Sequence, residues 1–418
     1  MSEQSNIPKH WLIKKLGEVG EIISGGTPST KVAEYWNGKI SWISPADLSG
    51  YVEKFILQGR KSITESGLKN SSARLIPKGS VLFSSRAPIG YVIIAGNELC
   101  TNQGFKSIVP NNSILSDYLF YYLKASKQKA EKVASGTTFK EISLKAFSEL
   151  EIPIPPLPEQ QTIVSKIEEL LSDLENGKQQ LQTARQQLKV YRQSLLKWAF
   201  EGKLTNKNVK DGELPTVWKW VTLGDVCQNV EYGSAVKSKK TGKVPVLRMG
   251  NIQNGKLDWE DLVFSDDQEE IEKYLLKKGD VLFNRTNSAE WVGKSAQYKG
   301  ERPAIFAGYL IRINRIKSLI DETYLTYFLN THFAKSYGNS VRSFGVNQSN
   351  INGTKLKTYP IPLCSLDEQQ LIVSELESKL TVCDKIEETI RQSLQQAETL
   401  RQSILKKAFE GKLINCSI

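Results

Sequence analysis

Between Ile163 and Trp198 the apolar residues fall alternately four and three apart. Ile163, Ile167, Leu170, Leu174, Leu181, Ala184, Leu188, Tyr191, Leu195 and Trp198 form the line, and Gly177 is its one interruption. Gln, Glu, Lys and Arg fill the positions between, residue types that suit both solvent and a helix. An apolar line this narrow, kept over many turns, predicts the seam of a coiled coil rather than the broader face of a helix on a globular core. Ile372, Leu376, Cys383, Ile386, Ile390, Ala397, Leu400 and Ile404 hold the same frame further on, with Lys379 and Ser393 as departures. Pro153, Pro155, Pro156 and Pro158 mark the start of the first helix, and Pro360 and Pro362 that of the second. Gly202 and Gly411 stand where a left-handed C-cap is wanted. Each helix is predicted to run for roughly 60 Å.

The two segments are copies of one another. Glu159-Gln160-Gln161-x-Ile163-Val164-Ser165 returns as Glu368-Gln369-Gln370-x-Ile372-Val373-Ser374, and Ala199-Phe200-Glu201-Gly202-Lys203-Leu204 returns as Ala408-Phe409-Glu410-Gly411-Lys412-Leu413, at one constant offset. The repeat continues outward. Pro8-x-x-Trp11 returns as Pro215-x-x-Trp218, Lys78-Gly79-Ser80-Val81-Leu82-Phe83 as Lys278-Gly279-Asp280-Val281-Leu282-Phe283, and Tyr118-Leu119-x-Tyr121 as Tyr324-Leu325-x-Tyr327. The chain is therefore two half-chains in tandem, each a domain followed by a long helix.

Within a domain, Val81–Phe83, Tyr91–Ala95 and Lys106–Val109 read as short strands between turn residues, and Asp117–Ala134 and Asp321–Tyr337 as helices with one apolar face. The expected fold class is α+β: two globular mixed α/β domains separated by two long helices that form an antiparallel coiled coil, with pseudo-two-fold symmetry. The boundaries read as 1–154 for the first domain, 155–202 for the first helix, 203–361 for linker and second domain, and 362–418 for the second helix and tail. Antiparallel packing relates the halves like the subunits of a dimer. Two similar but diverged domains of this kind suit two different half-sites on DNA, about one helical turn of 34 Å apart.

Composition narrows the function. The chain has 418 residues, 39% hydrophobic and 24% charged, the profile of a soluble protein with more than one core. No run of 18 apolar residues occurs and Met1–Asn6 has no apolar leader, so a cytoplasmic protein without a membrane partner is expected. Cys100, Cys227, Cys364, Cys383 and Cys416 are scattered and never form Cys-x-x-Cys, which points to free thiols and away from zinc. His10 and His332 are the only histidines, which leaves little material for histidine catalysis. The net charge of +11 favours a polyanionic partner.

Several strings now carry a resemblance. Ile23-Ser24-Gly25-Gly26-Thr27-Pro28, Tyr35-Trp36-Asn37-Gly38, Ser84-Ser85-Arg86-Ala87-Pro88-Ile89-Gly90-Tyr91 and Thr101-Asn102-Gln103-Gly104-Phe105-Lys106 resemble a target-recognition domain of the specificity subunit of type I restriction–modification enzymes. The starts and ends of both helices are similar to that family's two conserved spacer regions, so the likeness covers the chain. The second domain departs from it: Asn284-Arg285-Thr286 stands where the first has Ser84-Ser85-Arg86, and the Gly-Gly-Thr-Pro and Tyr-Trp-Asn-Gly strings are missing. The resemblance implies a non-catalytic DNA-binding subunit that reads an asymmetric bipartite target. It implies double-stranded DNA, two adenine methyltransferase subunits and, through them, two restriction and translocase subunits as partners. S-adenosylmethionine, ATP and Mg would serve those partners, with no cofactor in this chain.

Motif absences agree. The sequence has no Gly-x-x-x-x-Gly-Lys-Ser/Thr for a triphosphate and no Asn/Asp-Pro-Pro-Tyr/Phe for a target amine. Glu201-Gly202-Lys203 and Glu410-Gly411-Lys412 match a Glu-x-Lys nuclease fragment but fall at helix ends, without the further carboxylates a metal nuclease needs. Base reading calls for Arg, Lys, Asn and Gln on loops. The candidates are Lys31, Lys39, Arg86 and Gln103 in the first domain, and Lys237, Lys239, Lys240, Arg248, Asn251, Asn284, Arg285, Asn287 and Gln348 in the second. The Lys237–Lys243 run reads as a phosphate-contacting or solvated loop before a base-reading one. Trp36, Trp42 and Trp259 read as packing residues before base-stacking ones. The competing reading is a coiled-coil scaffold whose basic surface meets nucleic acid without sequence preference.

Overall fold

A fully apolar strand needs cover on both faces, and Val81-Leu82-Phe83 finds it at the centre of a five-stranded sheet. In the computed structural model, which describes residues 7–136, 140–206, 208–210, 212–344 and 348–414, the order is Gly20–Ser24, Phe105–Pro110, Val81–Ser84, Val92–Ala95 and Phe55–Ile56. The pairs are antiparallel except the last. Val81 and Phe83 face one hydrophobic cluster and Leu82 the other, as the two-residue period of a strand dictates. A three-stranded sheet, Lys61–Ile63, Trp36–Ile43 and Cys100–Thr101, completes the domain. The second domain repeats the plan, with Val281–Asn284 between Leu310–Arg315 and Ser295–Gln297, and with Val263–Ser265, Val244–Leu247 and Ile305–Phe306 as the smaller sheet.

The chain divides into two units, residues 1–181 with 392–418, and residues 182–391. Each unit holds one domain, half of one long helix and the opposite half of the other. The helices run Leu157–Phe200 and Leu366–Phe409, 44 residues each. In the first unit Ile163, Val164 and Ile167 share a core with Leu405, Ala408 and Phe409. In the second, Leu188, Leu195 and Ala199 share one with Ile372, Leu376 and Cys383. Arg192 reaches Asp384 at 2.7 Å and Glu387 at 3.1 Å, while Arg185 lies 3.9 Å from Glu387. Advancing along one helix means retreating along the other, so the pairing within each unit is antiparallel.

Four expected seam residues lie outside: Tyr191, Trp198, Ile386 and Leu400 are exposed. For Trp198 the reason lies in the domain that covers its helix end. At the end of the first helix the buried line passes through Leu195, Ala199 and Phe200, which pack on the domain residues Tyr324 and Phe328 as well as on the other helix, so it widens to the face of an ordinary helix. Each of the two predicted domain helices is also divided in two, as Ser116–Ala125 and Lys127–Val133, and as Glu322–Leu329 and His332–Val341. The hydroxyls of Ser126 and Thr331 donate to the carbonyls of Tyr122 and Phe328, and Thr331 also accepts from the Ala334 N–H, so these side chains compete with the helix for its backbone groups.

The repeated motifs turn out to be the fastenings between domain and helix. Gln160 is buried and accepts from the Leu115 N–H while donating to the Ser113 and Pro155 carbonyls; Gln369 does the same with Asp321, Leu319 and Cys364. The Trp11 indole donates to Glu159 and that of Trp218 to Glu368, each at 3.0 Å. Gly411 and Gly202, with φ of +70° and +75°, end the long helices in the left-handed region and bring Pro8 and Pro215 against them. Among the described residues, no helix is long and apolar enough to cross a membrane. Cys100, Cys227, Cys364 and Cys383 are free and buried; Cys416 and Met1–Asn6 lie outside the described residues.

Candidate nucleic-acid interface

In the second domain the strand Val281–Asn284 leaves the core at Asn284, and the chain then presents Arg285. The adjoining ribbon is three short strands: Thr286–Asn287, Ser349–Asn350 and Ser343–Phe344. Arg285 is half-buried. Its Nη1 donates to the Gly308 carbonyl and its Nη2 to Asn350 Oδ1, both at 3.3 Å, and its guanidinium lies 4.9 Å from the centre of the Tyr232 ring. The Tyr232 hydroxyl in turn accepts from the Gly353 N–H at 2.7 Å. All these partners are uncharged, so the cation keeps its charge on a fixed frame.

Contacts continue outward from Arg285 along the ribbon. Lys355 donates to Ser343 at 2.8 Å, and Arg342 lies 5.0 Å from the Phe344 ring, which is 79% exposed. Arg342 also donates to the Ala289 carbonyl at 3.3 Å, next to Trp291, whose exposed ring carries Lys294 at 3.8 Å. Burial, reinforced by Lys335, holds the Lys294 ammonium below the usual lysine range. The result is a surface of cations interleaved with exposed aromatic rings, which suits phosphates and base faces together. Arg342, Phe344, Lys355, Trp291, Lys294 and Tyr232 were not among the sequence candidates. They form no motif, and the ribbon that gathers them joins segments far apart in the chain.

The structure separates the second-domain candidates. Asn251 is buried, its amide donating to the Asp258 and Asp261 carbonyls and its oxygen accepting from the Arg248 N–H, so it fastens a turn. Asn284 is fully buried, its amide donating to the Trp291 carbonyl at 3.4 Å. Arg248 pairs with Asp261 at 2.9 Å and Lys239 with Asp266 at 3.0 Å. Lys237, Lys240 and Gln348 are exposed, and Asn287 is half-buried on the ribbon beside Arg285.

In the first domain, Arg86 Nη1 meets Glu141 at 3.3 Å, and Lys106 meets the same carboxylate at 3.7 Å. Lys106 is 6% exposed, and burial holds its ammonium below the usual range despite Glu141. Gln103 is exposed and accepts from the Thr27 hydroxyl, while Lys31 and Lys39 are exposed on a turn and on the strand Trp36–Ile43. Trp42 is buried, donating to the Gly26 carbonyl at 2.9 Å, and Trp36 packs on it edge to face. Trp259 packs beside Tyr298, so all three rings serve packing.

The nuclease-like strings are self-paired helix ends: Lys203 meets Glu201 and Lys412 meets Glu410, each at 2.8 Å. Among the described residues, no cluster of His, Cys, Asp and Glu is placed to hold a metal.

Comparison with known proteins bears on the whole chain. Residues 8–183 and 215–396 each match the family described as the type I restriction modification DNA specificity domain. The type I restriction enzyme MjaIX specificity subunit of Methanocaldococcus jannaschii is 35% identical over 60% of this chain, and the match spans 60% of that relative's length. The EcoKI specificity subunit of Escherichia coli is 27% identical over 97% of this chain and 90% of its own. Among solved structures, the HsdS subunit from Thermoanaerobacter tengcongensis has the same fold, with a TM-score of 0.67, 20% identity, and coverage of 99% of this chain and 100% of that one. A chain of a type I R-M system, solved to describe its assembly and conformational transition, gives 0.73 at 21% identity, covering 97% and 99%.

Proposed function

The chain belongs to the type I restriction–modification DNA specificity family, and on that premise we propose that it is the sequence-reading, non-catalytic subunit of such a complex. It reads an asymmetric target in two parts, one part per domain, and directs adenine-N6 methylation or ATP-dependent restriction by its partners. The observation that carries this reading is one scaffold used twice with different side chains at the same place. In one half Arg285 rests on the uncharged Asn350 and Tyr232, where in the other Arg86 and Lys106 share the single carboxylate of Glu141. Duplicated fastenings with diverged readers suit two unlike half-sites.

Arg285, Arg342, Lys355, Lys294, Asn287 and Gln348 are the proposed DNA-facing residues of the second half, and Lys31, Lys39 and Gln103 those of the first. The chain works in the cytoplasm with two methyltransferase subunits and, through them, two restriction subunits. Methylating an adenine requires the base to leave the stack, so this subunit grips both parts of the site while the partners extract the base. S-adenosylmethionine, ATP and Mg are used in those partners. The test is selection of the full-length chain on a library of random-sequence DNA duplexes. Enrichment of two short blocks at a fixed separation supports the reading, and retention without any preferred sequence supports a sequence-independent scaffold instead.

A further inference from the structure

Resting on that reading, we infer that the residue facing the strand-end arginine, Asn350 in the second half and Glu141 in the first, determines whether that arginine reads DNA. The two positions are equivalent in the fold. The Ile351 N–H donates to the Arg285 carbonyl at 2.9 Å, and the Ile142 N–H donates to the Ser85 carbonyl at 3.0 Å. The neighbouring sheet position is equivalent too, since Phe83 pairs with Lys106 where Phe283 pairs with Ile311.

In the first half the strand carries a buried lysine, and a buried ammonium requires a counter-charge. Glu141 supplies it and takes Arg86 as a second partner. Arg86, its side chain 35% exposed, is thereby tied to a carboxylate of its own domain, one that it shares with Lys106. In the second half Ile311 removes the need for a carboxylate, and a neutral amide stands in its place. The Asn350 amide donates to the Thr286 hydroxyl at 2.9 Å, which turns its oxygen toward Arg285. With Gly308 and the Tyr232 ring, this fixes the plane of a guanidinium that meets no carboxylate among the described residues, and a planar fork is what a guanine edge accepts. Asn350 is thus a positioning residue for Arg285, and the three linked differences, Lys106 with Ile311, Glu141 with Asn350, and the shift of the arginine by one residue, form one specificity device.

The random-duplex selection tests this with the full-length wild type and with the variants Asn350→Glu and Arg285→Lys. Asn350→Glu is expected to erase a guanine preference at one position of one block, with about a 5- to 150-fold loss of affinity for the wild-type sequence. The other block, unchanged, reports an intact fold. Arg285→Lys keeps the charge but not the fork, so the same position should lose its preference while affinity for random duplexes holds. Unchanged blocks in either variant, or a uniform blurring of every position in the block, would overturn the inference. Should Asn350→Glu lose both blocks, Arg285→Lys decides by the same criterion. A wild type that enriches no sequence overturns the specificity reading itself, and the inference with it.

Discussion

Arg285 and Arg86 leave comparable strands, yet their surroundings give them different work. A guanidinium tied to Gly308 and Asn350 and laid on Tyr232 has already lost most of its rotamer freedom, so little ordering remains to be done on binding. Arg285→Ala should weaken binding to the selected target by about 1–3 kcal/mol in a competition titration. An equal loss on random duplexes would make Arg285 a phosphate contact. For the first half the prediction concerns stability. Glu141→Asn alone leaves Lys106 buried without its counter-charge and should lower unfolding free energy by about 1–3 kcal/mol. Adding Lys106→Ile should recover most of that loss, and a denaturant-based double-mutant cycle would measure the coupling. Arg285 was visible in the sequence through its departure from the first domain's string. Asn350 and Glu141 were not, because neither residue type nor spacing reveals a partner that a distant hairpin delivers.

At the level of elements, the long helices were legible because their period persists and because they occur twice. The pattern failed at Tyr191, Trp198, Ile386 and Leu400, which are exposed, because a one-dimensional period does not show where a domain widens the face that a helix buries. The breaks at Ser126 and Thr331 were hidden for a related reason: apolar spacing passes over a hydroxyl that takes a helix carbonyl. Gly411 offers a test of the fastening at a helix end. A Cβ there would come within 2.3 Å of Pro8 Cγ in a residue with φ of +70°, so Gly411→Ala should cost about 1–3 kcal/mol in thermal or chemical unfolding. Tyr122 and Tyr327 give a pH dependence. Burial pushes both phenols up to about 12, with Glu377 adding to the effect at Tyr327. A pKa raised on folding gives stability that is complete below the ordinary phenol value of about 10 and is lost as pH rises from there through about 12. Circular dichroism should therefore show progressive loss of helix in that window, and Tyr327→Phe should reduce the alkaline sensitivity.

Across the whole molecule, duplication has kept what joins domain to helix and released what faces outward. Glu159 and Glu368, Gln160 and Gln369, Trp11 and Trp218 make the same bonds in both halves. The ribbon around Arg285 and its counterpart around Arg86 share backbone bonds and little side-chain chemistry. That contrast is why the family and the fold could be read from sequence, while the proposed DNA-facing surface of the second half, Arg285, Asn287 and Gln348 apart, required the structure. The most direct test of two-part recognition is to co-express the chain with its cognate methyltransferase subunit and map N6-methyladenine in the host DNA by single-molecule sequencing. The account predicts one asymmetric motif of two unlike blocks at a fixed separation, with one modified adenine on each strand. Methylation at adenines without a shared sequence, or at a motif of a single block, would contradict it.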